Sequence, residues 1–339
     1  MNTKEHILFL LENNRGKRIS GEHIASQLNV SRNAIWKAIN DLRNDGYRID
    51  AVTHKGYCLC EDNDILSVQG MLPFLSPTSG NDAVSENIII YHSLESTNTT
   101  AKELAISGAK HGTVVIADFQ TAGKGRYGRN FHSPPGCGVY MSFILHPEKL
   151  KFENPTLATA LAAISVCEAV ETVSEKTPGI KWVNDIYLDK KKICGILTEA
   201  VTDFESGSMQ WIVVGIGINF KAHLDNFPED LRQIASSVFP DGNCFVKNHP
   251  GGNQTVTRNQ LASEVVNRML TYGSQYSKGE ILTKYKNRLM MLGQKILVTG
   301  AQETYDAVAI DIDDNGQLIV KKENGEIRTL FSGEISIRI

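Results

Sequence analysis

The sequence predicts an α+β protein in three parts: a helix-turn-helix with a β-wing, a central mixed α/β body and a small all-β barrel. Three observations predict this. Residues 1 to 62 alternate helical periodicities with short turns, residues 87 to 285 alternate strand-like and helix-like runs, and residues 286 to 339 carry strand runs split by Asn-Gly turns. At 339 residues with 41% hydrophobic content, the chain can bury a sizeable core and form more than one domain.

In the first part, Ile7-Leu8-Phe9-Leu10-Leu11 opens one helix and Ser20 to Leu28 forms a second. Asn29-Val30 turns into a third, with Ser31 placed to cap its N-terminus. On that third helix Ile35, Ala38, Ile39 and Leu42 share one face. Arg32, Asn33, Lys37 and Asn40 lie away from it, where they would reach bases or phosphates. Ile49 to Leu59, bending at Thr53-His54-Lys55-Gly56, reads as the wing, with Lys55 poised for a phosphate. Residues 1–60 hold nine Lys/Arg against six Asp/Glu, whereas the whole chain has a net charge of −3. The small basic surplus at this end agrees with DNA binding, and a solvated interaction module is the competing reading. The sequence leaves open whether Trp36 belongs to the core or to the flank.

A Ser/Pro/Gly/Asn-rich stretch separates this domain, 1–63, from the centre, and 64–86 reads as a linker. In the central part, 87–285, Ile88 to Tyr91, Val139 to Phe143 and Trp211 to Gly215 read as strands; 156–174 and 258–276 read as helices. The stretch 238–257, with Pro250-Gly251-Gly252, reads as a long polar loop. Gly123-Lys124-Gly125-Arg126-Tyr127-Gly128-Arg129 follows the apolar run Thr113 to Ala117. Glycines let a backbone approach a ligand closely and the cations supply charge for a carboxylate or phosphate, although a solvated basic turn has the same composition. In the tail, 286–339, Asp314-Asn315-Gly316 and Glu323-Asn324-Gly325 are hairpin turns between strands.

Some functions are excluded. There is no Gly-x-x-x-x-Gly-Lys-Ser/Thr loop, and Gly215-Ile216-Gly217 lacks the third glycine of a dinucleotide fingerprint. The six cysteines form no ligand set with the histidines, so no metal site is expected, and free buried thiols point to the cytoplasm. The N-terminus has no signal-peptide pattern. The longest apolar stretch, Leu157 to Val170, is broken by Ser165 and Glu168 and reads as too short to span a bilayer, so no membrane partner is expected.

Four stretches combine in the centre: Glu95-Ser96-Thr97-Asn98, Gln120 to Arg129, Lys181-Trp182-Val183-Asn184-Asp185-Ile186-Tyr187, and Gly215-Ile216-Gly217-Ile218-Asn219. In this order, with a winged helix ahead and Gly333-Glu334-Ile335-Ser336-Ile337-Arg338 behind, they closely resemble the family of bifunctional biotin–protein ligases and biotin operon repressors. The resemblance spans nearly the whole chain. It implies a biotin/lipoate-ligase-like catalytic domain and an SH3-like C-terminal barrel. It also implies a two-step activity: biotin and MgATP give biotinyl-5′-AMP, and a lysine of a biotin carboxyl carrier protein of the acetyl-CoA carboxylase type takes the biotin. The adenylate would double as corepressor for a homodimer on a two-fold operator.

Carried onto these residues, Lys124, Arg126 and Lys181 would neutralise the reacting anions and hold the transition-state charge. Ser96, Thr97, Asn98, Gln120 and the backbone at Gly125 would bind biotin, with Lys124, Arg126 and Lys181 at its carboxylate. Asn184, Asp185, Gly217 and Asn219 match positions near the adenylate, and Asp185 is a candidate for Mg²⁺. Close strand packing explains Gly215 and Gly217 equally well. Valine at 183 where proline is usual, lysine at 124 where arginine is frequent, and Phe131 where tryptophan is common depart from the family pattern and bear on affinity. The alternatives are a ligase without regulatory DNA binding, a biotin-sensing repressor without activity, or a lipoate ligase. The winged helix and the Gly-Lys-Gly-Arg loop disfavour the last.

Overall fold

The computed structural model describes residues 1–52, 55–76, 84–152, 154–202, 208–247, 254–299, 303–331 and 334–337. Thr53 and His54 of the wing bend, 77–83 of the connector, Pro250-Gly251-Gly252, and Gly333 and Arg338 of the terminal motif lie outside the described residues.

Each N-terminal helix starts on a polar cap, because the first turn leaves backbone N–H groups without intrahelical partners. For α1 (Thr3–Asn13), Asn2 and Glu5 cap one another reciprocally. Ser20 caps α2 (Gly21–Leu28), and Ser31 accepts the Ala34 N–H at 3.2 Å to start α3 (Arg32–Asn44). The inner face of α3, Ile35, Ala38, Ile39 and Leu42, is buried with Ile7, Leu8, Leu11, Ile24 and Leu59 in a core of its own. The wing is the antiparallel pair β1 (Ile49–Val52) and β2 (Gly56–Leu59). Arg32, Asn33, Lys37 and Lys55 are exposed and Asn40 is half-buried. Trp36 is 63% exposed, which removes it from the core and places it among those polar residues.

Residues 64–76 are bonded to the central body. The short α4 (Val68–Met71) lies here, and α7 (Arg258–Gln275) receives it. Asp64 accepts the Arg258 backbone N–H at 2.7 Å, Asn259 Nδ2 donates to the Ile65 carbonyl at 2.8 Å, and Asn267 Nδ2 donates to the Phe74 carbonyl at 2.8 Å.

The body is a seven-stranded sheet of β3 (Ile88–Leu94), β4 (Thr113–Gln120), β5 (Gly138–Leu145), β6 (Gly179–Lys181), β7 (Asp185–Leu188), β8 (Lys191–Thr202) and β9 (Met209–Asn219). The order is β3-β4-β5-β9-β8-β7-β6, antiparallel except for β3 beside β4. Alternate residues serve opposite faces. Val115, Ile144 and Val213 meet Ala101 and Ala105 of α5 (Thr97–Ile106), while Val114, Ile116, Phe143 and Val214 join the core with α6 (Pro155–Ser174) and α7. The 20-residue α6 corrects one expectation: by length and mean hydropathy, 1.5, it is long and apolar enough to cross a membrane, but most of it is buried among the sheet and α7. The stretch 238–257 is not simply a polar loop. It holds the hairpin of β10 (Phe245–Val246) and β11 (Gln254–Thr255) and buries Val238, Phe239, Cys244 and Val256.

After α8 (Lys278–Lys286), the tail folds into five antiparallel strands: β12 (Lys295–Thr299), β13 (Thr304–Ile312), β14 (Leu318–Lys322), β15 (Ile327–Leu330) and β16 (Glu334–Ile337). Their order is β15-β14-β13-β12-β16. Its core residues Ile296, Val298, Ala309, Val320 and Ile335 belong to the same apolar cluster as the central body. All six cysteines are free; Cys60 and Cys137 are half-buried and the other four buried.

Candidate functional site

One cavity of about 310 Å³ opens on the sheet. It gathers Ser96, Thr97, Asn98, Gln120, Lys124, Gly125, Arg126, Lys181, Asn184, Asp185, Gly217 and Asn219, which is every enzyme-site residue singled out in the sequence.

The glycine-rich loop folds back on itself: the Gly125 N–H donates to the Arg129 carbonyl at 2.7 Å and the Phe131 N–H to the Gly123 carbonyl at 2.8 Å. Lys124 Nζ donates to Thr99 Oγ1 at 2.9 Å, and Arg126 Nη1 donates to Asn184 Oδ1 at 2.9 Å. Asn184 is itself held by donating Nδ2 to the Ile196 carbonyl at 2.9 Å, so it fastens the loop to β8. Asp185 is paired with Lys192 Nζ at 2.7 Å. Burial, with the Asp185 charge second, pushes the Tyr187 phenol up to about 12, so it stays protonated near neutral pH. Asn219 donates Nδ2 to the Ser236 carbonyl at 2.9 Å.

The cavity also has a polar lining without formal charge. Ser96, Thr97, Asn98 and Gln120 are all at most 9% exposed. The Thr97 N–H donates to Gln120 Oε1 at 2.8 Å, and Gln120 Nε2 donates to Ser133 Oγ at 2.8 Å. The cavity therefore combines buried neutral hydrogen-bonding groups with cations, and Asp185 is the one acidic side chain among the described residues lining it.

Several functional candidates escape sequence reasoning. Lys192 joins Lys124, Arg126, Arg129 and Lys181 in the lining, but sits in the run Lys190-Lys191-Lys192, which nothing local distinguishes from a solvated turn. Phe227, Leu231, Ile234 and Ala235 form an apolar wall, and Ile335 reaches the cavity from β16. Phe131 packs against a glycine pair directly opposed in the sheet, Gly195 and Gly217: a Cβ on Gly217 would lie 2.5 Å from its ring. The packing explanation for Gly217 is thus real and also shapes the cavity. Gly217→Val should push the Phe131 ring into the cavity and raise the KM of the ligand bound there about tenfold or more, since displacing a packed wall costs roughly 1–3 kcal/mol; an unchanged KM in steady-state assays would refute this.

Comparison with known proteins agrees with the geometry. The Biotin/lipoate A/B protein ligase family model matches residues 90–219, an HTH domain model matches 3–58, and the Biotin protein ligase C terminal domain model matches 291–338. The bifunctional ligase/repressor BirA of Bacillus subtilis is 33% identical over 332 residues, covering 94% of each chain. The chain belongs to the BirA family. The bifunctional ligase/repressor BirA of Escherichia coli is 30% identical over 98% of this chain and 96% of its own. Among solved structures, the biotin protein ligase of Aquifex aeolicus in complex with biotin and ATP is 29% identical, with a TM-score of 0.60, over 75% of this chain and 99% of that one. The helix-turn-helix, the cavity-bearing sheet and the small β domain are the three parts of a BirA-family protein, in order.

Proposed function

We propose that the chain activates biotin with MgATP to biotinyl-5′-AMP, transfers the biotin to a lysine of a carrier protein, and represses transcription through its winged helix. The observation that carries the enzymatic reading is that Lys124, Arg126, Arg129, Lys181 and Lys192 line one cavity together with the buried neutral hydrogen-bonding groups Ser96, Thr97, Asn98 and Gln120. Biotin matches both, with a ureido ring at one end and a carboxylate at the other.

In the first step a carboxylate oxygen of biotin attacks the α-phosphorus, and the bond to the bridging oxygen breaks with its electron pair leaving on pyrophosphate. Two anions must approach, so the chief work is charge neutralisation and alignment, supplied by Lys124, Arg126 and Lys181. In the second step a carrier lysine amine attacks the carbonyl of the mixed anhydride and AMP departs. Magnesium enters with the triphosphate as part of the substrate. Among the described residues no group of three His, Cys, Asp or Glu forms a cage, and Asp185, the one acidic side chain in the lining, would be the protein carboxylate to meet it on leaving Lys192. Asn184 and Asn219 would border the nucleotide. Incubation with a biotin carboxyl carrier domain, labelled biotin and MgATP tests the reading; an unlabelled carrier would leave only a biotin-sensing repressor.

The regulatory reading adds a homodimer, formed when the adenylate is bound, that sets two third helices on operator DNA. Free thiols fit a cytoplasmic location. Arg32→Ala and Lys37→Ala should each weaken operator binding and reduce the salt slope of log K by about one, as expected for one lost phosphate contact. Gel shifts across a salt series would show it, and an unaltered slope would count against both contacts.

A further inference from the structure

Five consecutive backbone carbonyls between the head and the body, those of Glu61 to Ile65, each accept from a side chain. Arg15 Nη1 donates to the Glu61 carbonyl at 3.3 Å and to that of Asn63, and Arg48 Nη2 donates to that of Asp62 at 3.1 Å. Arg258 Nη2 donates to the Asp64 carbonyl at 2.5 Å, and Asn259 Nδ2 to that of Ile65 at 2.8 Å. The first three are held by the head, from just after α1 and just before β1; the last two are held by α7 of the body. A flexible tether leaves such groups to water, and its two ends turn independently. Here the hand-over from one domain's donors to the other's falls between Asn63 and Asp64, with no residue in between.

Arg15 is itself fixed. Its Nε and Nη2 both donate to Glu12 Oε2, at 3.2 and 2.5 Å, and Glu12 is buried on α1. The helix thereby sets the plane of the guanidinium and leaves Nη1 for the connector. Arg48 grips Asp62 twice, since it also pairs with the carboxylate at 2.7 Å. Ile65, whose carbonyl the body holds, packs its side chain against the head core, and the Ser67 N–H donates to Asn259 Oδ1 at 3.0 Å. The third helix, with Arg32, Asn33 and Lys37 exposed on it, is thus held in one direction relative to the sheet.

We infer that Arg15, set by Glu12 and assisted by Arg48, is a positioning residue for operator recognition: it fixes the angle at which the head leaves the body, and so the half-site spacing that a dimer accepts. The inference rests on the reading of the chain as a homodimeric repressor. In a two-fold dimer, two heads on rigid mounts meet the duplex at one separation and one rotational phase. Heads on loose tethers reach a range of separations, at a lower effective concentration for the second half-site. Arg15 and Arg48 lie off α3, and neither lines the cavity.

The test is a gel-shift series with the full chain, biotin and MgATP, on a two-fold DNA site recovered by binding selection with the parent. The same site with five extra base pairs at its centre, and a single half-site, complete the set. Half a helical turn puts the half-sites on opposite faces, so the parent should bind the lengthened site about a hundredfold more weakly. That penalty should fall to about tenfold in Arg15→Met, and by about threefold in Arg48→Met, an exposed position that keeps the test open if Arg15→Met fails to fold. Inserting Gly-Ser-Gly-Ser between Asp62 and Asn63 should erase it. The penalty is a ratio within each protein, so a change in dimer strength cancels. Half-site binding should stay at the parent level throughout, whereas a merely structural defect in the head would weaken it. An equal penalty in the parent and the insertion would overturn the inference, as would a parent that tolerates the lengthened site. A penalty erased by the insertion but whole in both substitutions would overturn the role of Arg15. If selection recovers no two-fold site, the repressor reading falls, and this inference with it.

Discussion

Replacing Arg126 with methionine should slow adenylate formation and release the finished adenylate faster, each by about a hundredfold, the usual consequence of removing one fixed charge from a developing anion. The side chain has two duties. It brings a guanidinium to the cavity, and its bond to Asn184 ties the loop to β8. Methionine keeps the stem and removes both. If loop closure over the adenylate also licenses the dimer, operator binding in the presence of biotin and MgATP should fall in parallel. Pulse-chase of labelled adenylate, alongside a gel shift, reads both. Faster release with intact operator binding would separate the catalytic duty from the regulatory one, and unchanged release would remove Arg126 from the adenylate site.

Arg258→Met should be the most destabilising single change, by about 3–5 kcal/mol, because it takes the guanidinium from the half-buried Asp118 and leaves Asp64 with Lys221 as its cation. Arg258 is almost fully buried at the start of α7. It pairs with Asp64 at 3.2 Å and with Asp118, and donates to the Gly138 carbonyl at 3.2 Å. Lys221 Nζ, 2.6 Å from Asp64, would remain as that carboxylate's cation, beside the backbone N–H of residue 258 at 2.7 Å. Burial works against the guanidinium, but the two carboxylates more than offset it and raise its pKa. Calorimetry should show the main transition fall by roughly 10 °C. Arg258→Lys should recover only part of the loss, since an ammonium cannot fork between two acids. An unmoved transition in Arg258→Met would show that the pairs contribute little.

What was legible in the sequence was what short-range chemistry controls. Ser31 followed by Ile35, Ala38, Ile39 and Leu42 carries both its cap and its buried face within twelve residues, and α3 formed as read. The Asn-Gly turns of the tail separated strands now seen as β13, β14 and β15. The cavity was legible where glycines and cations are adjacent, from Gly123 to Arg129. Lys192, Phe227 and Ile335 were not, because each reaches the cavity through tertiary contact with nothing unusual beside it in the chain. Asp64 was hidden in the same way: a polar residue in a stretch read as linker gives no sign that its partner stands 194 residues later.

The two ends of the chain differ in how they are joined to the middle, and this bears on how the protein could be rebuilt. The buried core residues of the head all lie in the first sixty, with Ile65 of the connector packed against them, whereas the last fifty share theirs with the sheet, and Trp182 donates its indole N–H to the Gly316 carbonyl at 2.9 Å across that seam. The DNA reader is therefore a head with its own core seated on the connector, and a different sequence-specific module could be grafted in its place, provided the splice falls ahead of Asp64 and the graft covers Ile65. No comparable graft is open at the other terminus, where the small sheet is a wall of the reaction chamber.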